Sequence, residues 1–209
     1  MRDKESGRPG RPRSFDVERA LVVGERLFHE RGFDGVSLSD LTYALNIAAP
    51  SFYAAFGSKA DFFQQILNRY NASALSIDEL IVEQDPIAAI EKFLIARAVS
   101  YSEDNAAKGC LILDATRNCS DADAANTATK LAEGGRGRVR ELVAISRPDM
   151  AEQVSDLVAC VMQGLSAYAR QGWSTERLVA VAKSAALAVR VIAERSNPVE
   201  EIATSQNST

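Results

Sequence analysis

The chain has 209 residues, of which 46% are hydrophobic and 25% charged, and it carries a net charge of −4. That length allows one large domain or two small ones sharing a core, and the apolar content excludes disorder of the whole chain. No apolar run approaches the roughly 20 residues that span a bilayer, and the charged start lacks the apolar segment of a secretory signal. The expected location is therefore the cytoplasm, with no membrane partner. Cys110, Cys119 and Cys160 are odd in number and match no zinc or redox spacing, so neither a disulfide framework nor a metal site is expected. A net negative charge argues against a nucleic-acid partner only if it is evenly spread. It is not, because residues 1–13 hold five basic groups against two acidic ones.

Ser6 to Arg13 is basic and rich in Gly and Pro, which predicts an extended arm over residues 1–13. Helical periodicity begins after it. Val17, Ala20, Leu21, Gly24, Leu27 and Phe28 mark one buried face, and Gly32 is the expected C-terminal cap. Ser37, with Asp40 three residues on, forms a capping-box pattern ahead of a short second helix with Leu38, Leu41 and Leu45 inward. Asn46 stands where the chain must turn, and Asn tolerates the left-handed conformation. A third short helix is predicted from Ala48 to Phe56 and ends at Gly57. Ser58 and Asp61 repeat the cap for a fourth helix with the stripe Phe62, Phe63, Ile66, Leu67 and Tyr70.

Further helices are expected from Pro86 to about Ser102, from Cys110 to about Arg117 and from Asp121 to Ile145. In the last of these, Gly134, Gly135 and Gly137 mark a place for a kink. Pro148-Asp149 reads as the start of a helix reaching Gln171, and Ser174 caps a final one ending near Arg195. Nothing reads as a strand. Residues 196–209 are polar and expected to form a disordered tail. The fold class is all-α with about nine helices. It divides into a head over residues 14–57 and a body over 58–195.

Three short capped helices with tight turns behind a basic arm suit a helix-turn-helix, in which the third helix is offered to the major groove. The runs Gly32-Phe33-x-Gly35-Val36-Ser37-Leu38-x-Asp40-Leu41 and Pro50-Ser51-Phe52-Tyr53-x-x-Phe56-Gly57-Ser58-Lys59 closely resemble the TetR family of bacterial transcriptional regulators over about residues 14–67. The resemblance implies a DNA-binding head and a helical body that binds a small-molecule effector and forms a homodimer through its last two helices. The implied partner is a double-stranded, palindromic operator, and repression is the family default.

Carried over position by position, Ser37, Tyr53 and Lys59 match phosphate-contacting positions. Ala49, Pro50 and Ser51 occupy the groove-facing start of the recognition helix, where small apolar groups suit thymine methyls. Arg11 and Arg13 belong either to a solvated tail or to an arm that enters the minor groove. Asn46, Ala48 and Ala55 depart from the usual Gly, Ser/Thr and His. The missing cap at Ala48 is worth about 1 kcal/mol.

Helical position nominates Phe93, Tyr101, Met162, Tyr168 and Trp173 for an effector pocket, with Asp114 or Arg117 as a polar anchor. Cys110 opens a short helix and reads either as a small buried hydrophobe or as a thiol sensor. His29 reads as an ordinary surface or helix-end residue. The Gly/Arg run at 134–138 lacks the Lys-Ser/Thr of a phosphate loop. The run 180–189 is rich in small apolar residues, which suits close helix approach between two subunits. No residues pair a nucleophile with a base, so no catalytic residue, cofactor or enzymatic activity is expected. The alternative from another class is a helical interaction module that has lost DNA binding.

Overall fold

The computed structural model describes residues 16–74 and 85–194, and within them it contains nine helices and no strand. The arm with Arg11 and Arg13, and the tail after residue 195, lie outside the described residues.

The helices begin where the chain supplies a side-chain acceptor for the orphan N–H groups of a first turn. Asp16 caps α1 (Val17–Arg31), Ser37 caps α2 (Leu38–Leu45) and Ser58 caps α4 (Lys59–Ser73), the last two with complete capping boxes. Between them α3 (Ala49–Phe56) starts at Ala48 with no side-chain cap. Asn46 adopts the left-handed conformation (φ 53°, ψ 48°), as the turn between α2 and α3 requires. The four helices close on an aromatic cluster in which Phe28 lies 4.7 Å from Phe63, and Phe56 lies 4.4 Å from Phe62, centroid to centroid. Gly24 lets α1 and α4 meet closely, since a Cβ there would stand 2.5 Å from the Phe62 ring.

The rest is a helical body. Its elements are α5 (Pro86–Glu103), α6 (Leu111–Ala115), α7 (Ala122–Ala144), α8 (Ala151–Arg170) and α9 (Thr175–Glu194). Helix α5 packs chiefly on α9 and also on α8, α7 packs on α8, and α4 reaches α7. Two expectations change here. The glycines at 134, 135 and 137 do not interrupt α7, whose hydrogen-bonded run is continuous. They touch nothing within 4 Å where a Cβ would stand, so packing does not demand them. Helix α8 begins at Ala151 rather than at Pro148-Asp149, because the Asp149 carboxylate pairs with Arg147 (2.8 Å) instead of capping the helix.

The head is wired to the body at the end of α1. His29 is buried at 5% exposure, contrary to the surface reading. Its Nε2 lies 3.3 Å from the Gly109 carbonyl, and its ring meets Tyr70 edge-on. The Arg170 guanidinium donates to the His29 carbonyl (3.1 Å) and pairs with Asp114 (3.4 Å). Gly109 has φ +82°, and a Cβ there would lie 2.8 Å from the Ser166 carbonyl, so this close approach needs glycine. No helix among the described residues is long and apolar enough to cross a membrane.

Candidate nucleic-acid interface and interior cavity

Helix α3 buries Phe52 and Phe56 and leaves Ala49, Pro50, Ser51, Tyr53, Ala54 and Ala55 exposed. The outward face thus carries no charge. It is a smooth surface of methyl groups and two hydroxyls, which fits apolar contact with thymine methyls and hydrogen bonding to phosphate. Tyr53 is 54% exposed, and its ring rests edge-on against Phe52 at 6.2 Å.

Ser37 stands at the start of α2 with its hydroxyl engaged. The Ser37 Oγ accepts from the Asp40 N–H (3.1 Å), and the Ser37 N–H donates to the Asp40 carboxylate (2.8 Å). The Ser37 hydroxyl also donates to the Asp40 carboxylate, and this bond, with that from the Ser37 N–H, holds the Asp40 carboxyl below the ordinary range, so it stays charged near a candidate phosphate contact. Arg31 lies 3.6 Å from that carboxylate and offsets it. The first-turn N–H groups of Leu38 and Ser39 have no intrahelical partner and suit an anion.

Lys59 has a second task that motif matching did not reveal. Its ammonium donates to the carbonyls of Phe33 (3.0 Å) and Val36 (2.9 Å) and sits 4.0 Å above the Phe33 ring. It ties the start of α4 to the turn that delivers Ser37, with one of its three donors left over. Sequence reasoning also passed over Tyr43, which is 90% exposed beside an open depression lined by Thr42, Asn46, Ile47 and Ala48. Its position off the Leu38, Leu41 and Leu45 stripe was the available signal.

The body holds a cavity of about 490 Å³ between α5, α6, α7 and α8. Phe93, Ile112, Leu131, Val139, Val158 and Met162 form apolar wall, and Arg97, Tyr101 and Gln163 bring polar groups to it. Of the residues nominated from the sequence, Phe93, Tyr101 and Met162 come together here. Asp114, Tyr168 and Trp173 do not. Asp114 turns away to pair with Arg170 and to accept from Asn118 (2.9 Å). Tyr168 lies six residues beyond Met162 on α8, hence on a different face. It stacks on Trp173 at 4.1 Å outside the cavity, with Arg177 over the indole at 3.3 Å. Arg117 is exposed and does not line the cavity.

Cys110 is buried at 4% exposure and lines the cavity, facing Tyr70 and Tyr101. Its N–H donates to Ser166 Oγ (2.9 Å). Cys160, which sequence reasoning did not single out, lines the cavity from its exposed rim, whereas Cys119 lies elsewhere against the Asp121 carbonyl. Among the described residues no group of three or more His, Cys, Asp or Glu is placed to hold a metal ion.

Residues 20–66, which span α1 to α4, match the model of the bacterial regulatory proteins of the tetR family. The chain is similar to the HTH-type transcriptional repressor BdcR of Escherichia coli (strain K12), with 36% identity over 193 residues, covering 91% of this chain and 98% of that one. It is 28% identical over 186 residues to the HTH-type transcriptional repressor ComR of the same organism, covering 83% and 88%. Among solved structures, a cysteine mutant of the TetR family transcriptional regulator CifR, complexed with 26bp double-strand operator DNA, superposes with a TM-score of 0.77. The two share 29% identity, with 86% of this chain and 99% of that chain covered. With residues 20–66 matched by the family model and 36% identity to an HTH-type transcriptional repressor over 91% of the chain, the chain belongs to the TetR family of bacterial regulatory proteins.

Proposed function

We propose that this sequence-specific DNA-binding transcriptional regulator acts as a dimeric repressor that a small molecule in the body cavity releases from its operator. One observation carries the DNA-reading part: the exposed face of α3 is free of charge and includes the outward Tyr53, and α2, which packs on α3, begins at Ser37 with first-turn N–H groups to spare. Phosphate contacts then supply affinity, and the methyl-rich face together with Ser51 supplies selection.

Exposed apolar side chains on the last two helices support the dimer. Val181, Leu187 and Val191 on α9 and Tyr168 on α8 are each more than 40% exposed. A second copy packed on these helices would cover such side chains and set two recognition helices one DNA turn apart, as a palindromic operator requires. The cavity supports the effector. It touches α4 through Asn71, and α4 continues directly from the Ser58 cap beside the recognition helix. A ligand that favours a different α4 position lowers DNA affinity by the coupling between the sites, typically about 1–3 kcal/mol.

The test is a salt-dependent titration against the DNA beside its own gene. Selective binding that weakens steeply with salt is expected. A folded dimer that binds no DNA selectively at low salt would favour the other reading, a helical interaction module whose head no longer reads DNA.

A further inference from the structure

The cavity has a defined chemistry as well as a volume. Arg97 and Tyr101 stand four residues apart on α5 and so share a helix face with Phe93. The Arg97 guanidinium lies 5.4 Å from the Phe93 ring centre and 5.8 Å from that of Tyr101. No carboxylate among the described residues pairs with it, and its buried Nε lacks a hydrogen-bond partner. Arg136, on the opposite wall, differs: it is met by Glu133 (2.9 Å), Glu152 (2.9 Å) and Asp156 (3.0 Å). The positive charge left over inside the cavity is therefore that of Arg97.

The Tyr101 hydroxyl sits in the same wall. Tyr101 is 1% exposed and its hydroxyl has no hydrogen-bond partner, only the weakly bonding Cys110 thiol nearby. Gln163 is anchored through its Nε2 to Thr116 Oγ1 (3.3 Å), and its Oε1 is likewise unpaired. Buried polar groups are paired in the great majority of cases. Here the guanidinium Nε of Arg97 and the phenol of Tyr101, both donors, line one largely apolar space, and neither has an oxygen acceptor.

Resting on the reading of this cavity as the effector site, we infer that its ligand is an amphipathic organic carboxylate. The carboxylate accepts from Arg97 and the Tyr101 hydroxyl, and the apolar body lies against Phe93, Ile112, Val158 and Met162. A hydroxyl on that body has Gln163 Oε1 as acceptor. A planar guanidinium beside a phenol is well matched to a carboxylate's two oxygens, whereas a neutral amide leaves the charge unanswered.

The experiment titrates the full-length protein with 2-naphthoate and octanoate, each against its primary amide, by calorimetry and by release of bound operator. The acids are expected to bind at least roughly tenfold more tightly than their amides, the difference a charged hydrogen-bonded contact makes. Arg97→Gln removes that preference. Tyr101→Phe weakens the acids several-fold while leaving the melting temperature of the free protein the same or higher, since an unpaired buried hydroxyl is lost. A merely structural role for Tyr101 would lower that temperature instead. Equal binding of acid and amide, or acid affinity unchanged in Arg97→Gln, overturns the carboxylate and leaves the cavity as an effector site. Failure of all four probes to bind overturns the carboxylate as well. DNA recognition is judged separately, by operator binding without any probe.

Discussion

The two halves of the molecule treat their interiors in opposite ways. In α1 to α4 six phenylalanines fill the core, three of the four helix starts carry a side-chain cap, and no described buried side-chain polar atom lacks a partner. In the body, every described orphan atom lies on α5 or α8, at Arg97, Tyr101, Gln163 and Arg170, three of these residues around an open cavity. A surface that must match the groove of DNA needs a scaffold with one conformation. A sensor needs an interior that remains incomplete until something enters. Closed packing serves the first need and unsatisfied polar groups serve the second.

The largest effect expected from breaking this contrast is in the head. Phe62 is fully buried against Phe28, Phe52 and Phe56, so Phe62→Ala should cost about 3–5 kcal/mol by denaturant unfolding. Met162→Ala, which enlarges a space already present, should fall near the low end for its type, about 2 kcal/mol. Equal losses at the two sites would remove the distinction between a filled and an unfilled interior.

Lys59→Met keeps the length of the side chain but strands the Phe33 and Val36 carbonyls, so a loss of about 1.5–3 kcal/mol is expected. Operator affinity should fall as well, because the turn presenting Ser37 loosens. A variant of native stability that loses only DNA binding would return Lys59 to a purely phosphate-contacting role.

Tyr53→Phe sharpens the contrast from the other side. Its hydroxyl supports nothing in the fold, so stability should stay within about 0.5 kcal/mol while operator affinity drops roughly tenfold in a fluorescence titration. An unchanged affinity would remove Tyr53 from the interface.

The smallest effect concerns the junction between the halves. Burial, and then the nearby Arg170 charge, holds the His29 imidazole below its ordinary value of 6.5, while the Gly109 carbonyl, Asp114 and Asp104 pull the other way. The unfolded chain thus takes up this proton at higher pH than the folded one. The stabilisation is complete above 6.5 and declines as pH falls from there toward the folded value. The melting temperature should drop between about pH 7.5 and 5.5 in the native chain and drop less in His29→Gln.

Much of the head was legible because its determinants are local. Ser37 with Asp40 and Ser58 with Asp61 announce two helix starts within four residues each, and both capping boxes form. Asn46 in the left-handed conformation was readable from its side chain and from the turn it had to make. The exposure of Tyr53 and the burial of Phe52 follow from helical period. The cavity was only half legible. Phe93, Tyr101 and Met162 were found by period, but Asp114, Tyr168 and Trp173 were misplaced because period says which residues share a face and not which neighbour covers it. His29 was misread for the same reason: its burial depends on Gly109, eighty residues away.

By itself the sequence determined the helices, the helix-turn-helix and the family, since caps, turns and apolar stripes act over a few residues and the family motif lies within one continuous stretch. Tertiary structure alone decided that Lys59 braces the turn before Ser37, that Arg170 and His29 join head to body, and that Arg97 and Tyr101 face the cavity without partners. Those facts depend on residues distant in sequence meeting in space, and whether an interior polar atom finds a partner can be known only once every element packed around it is in place.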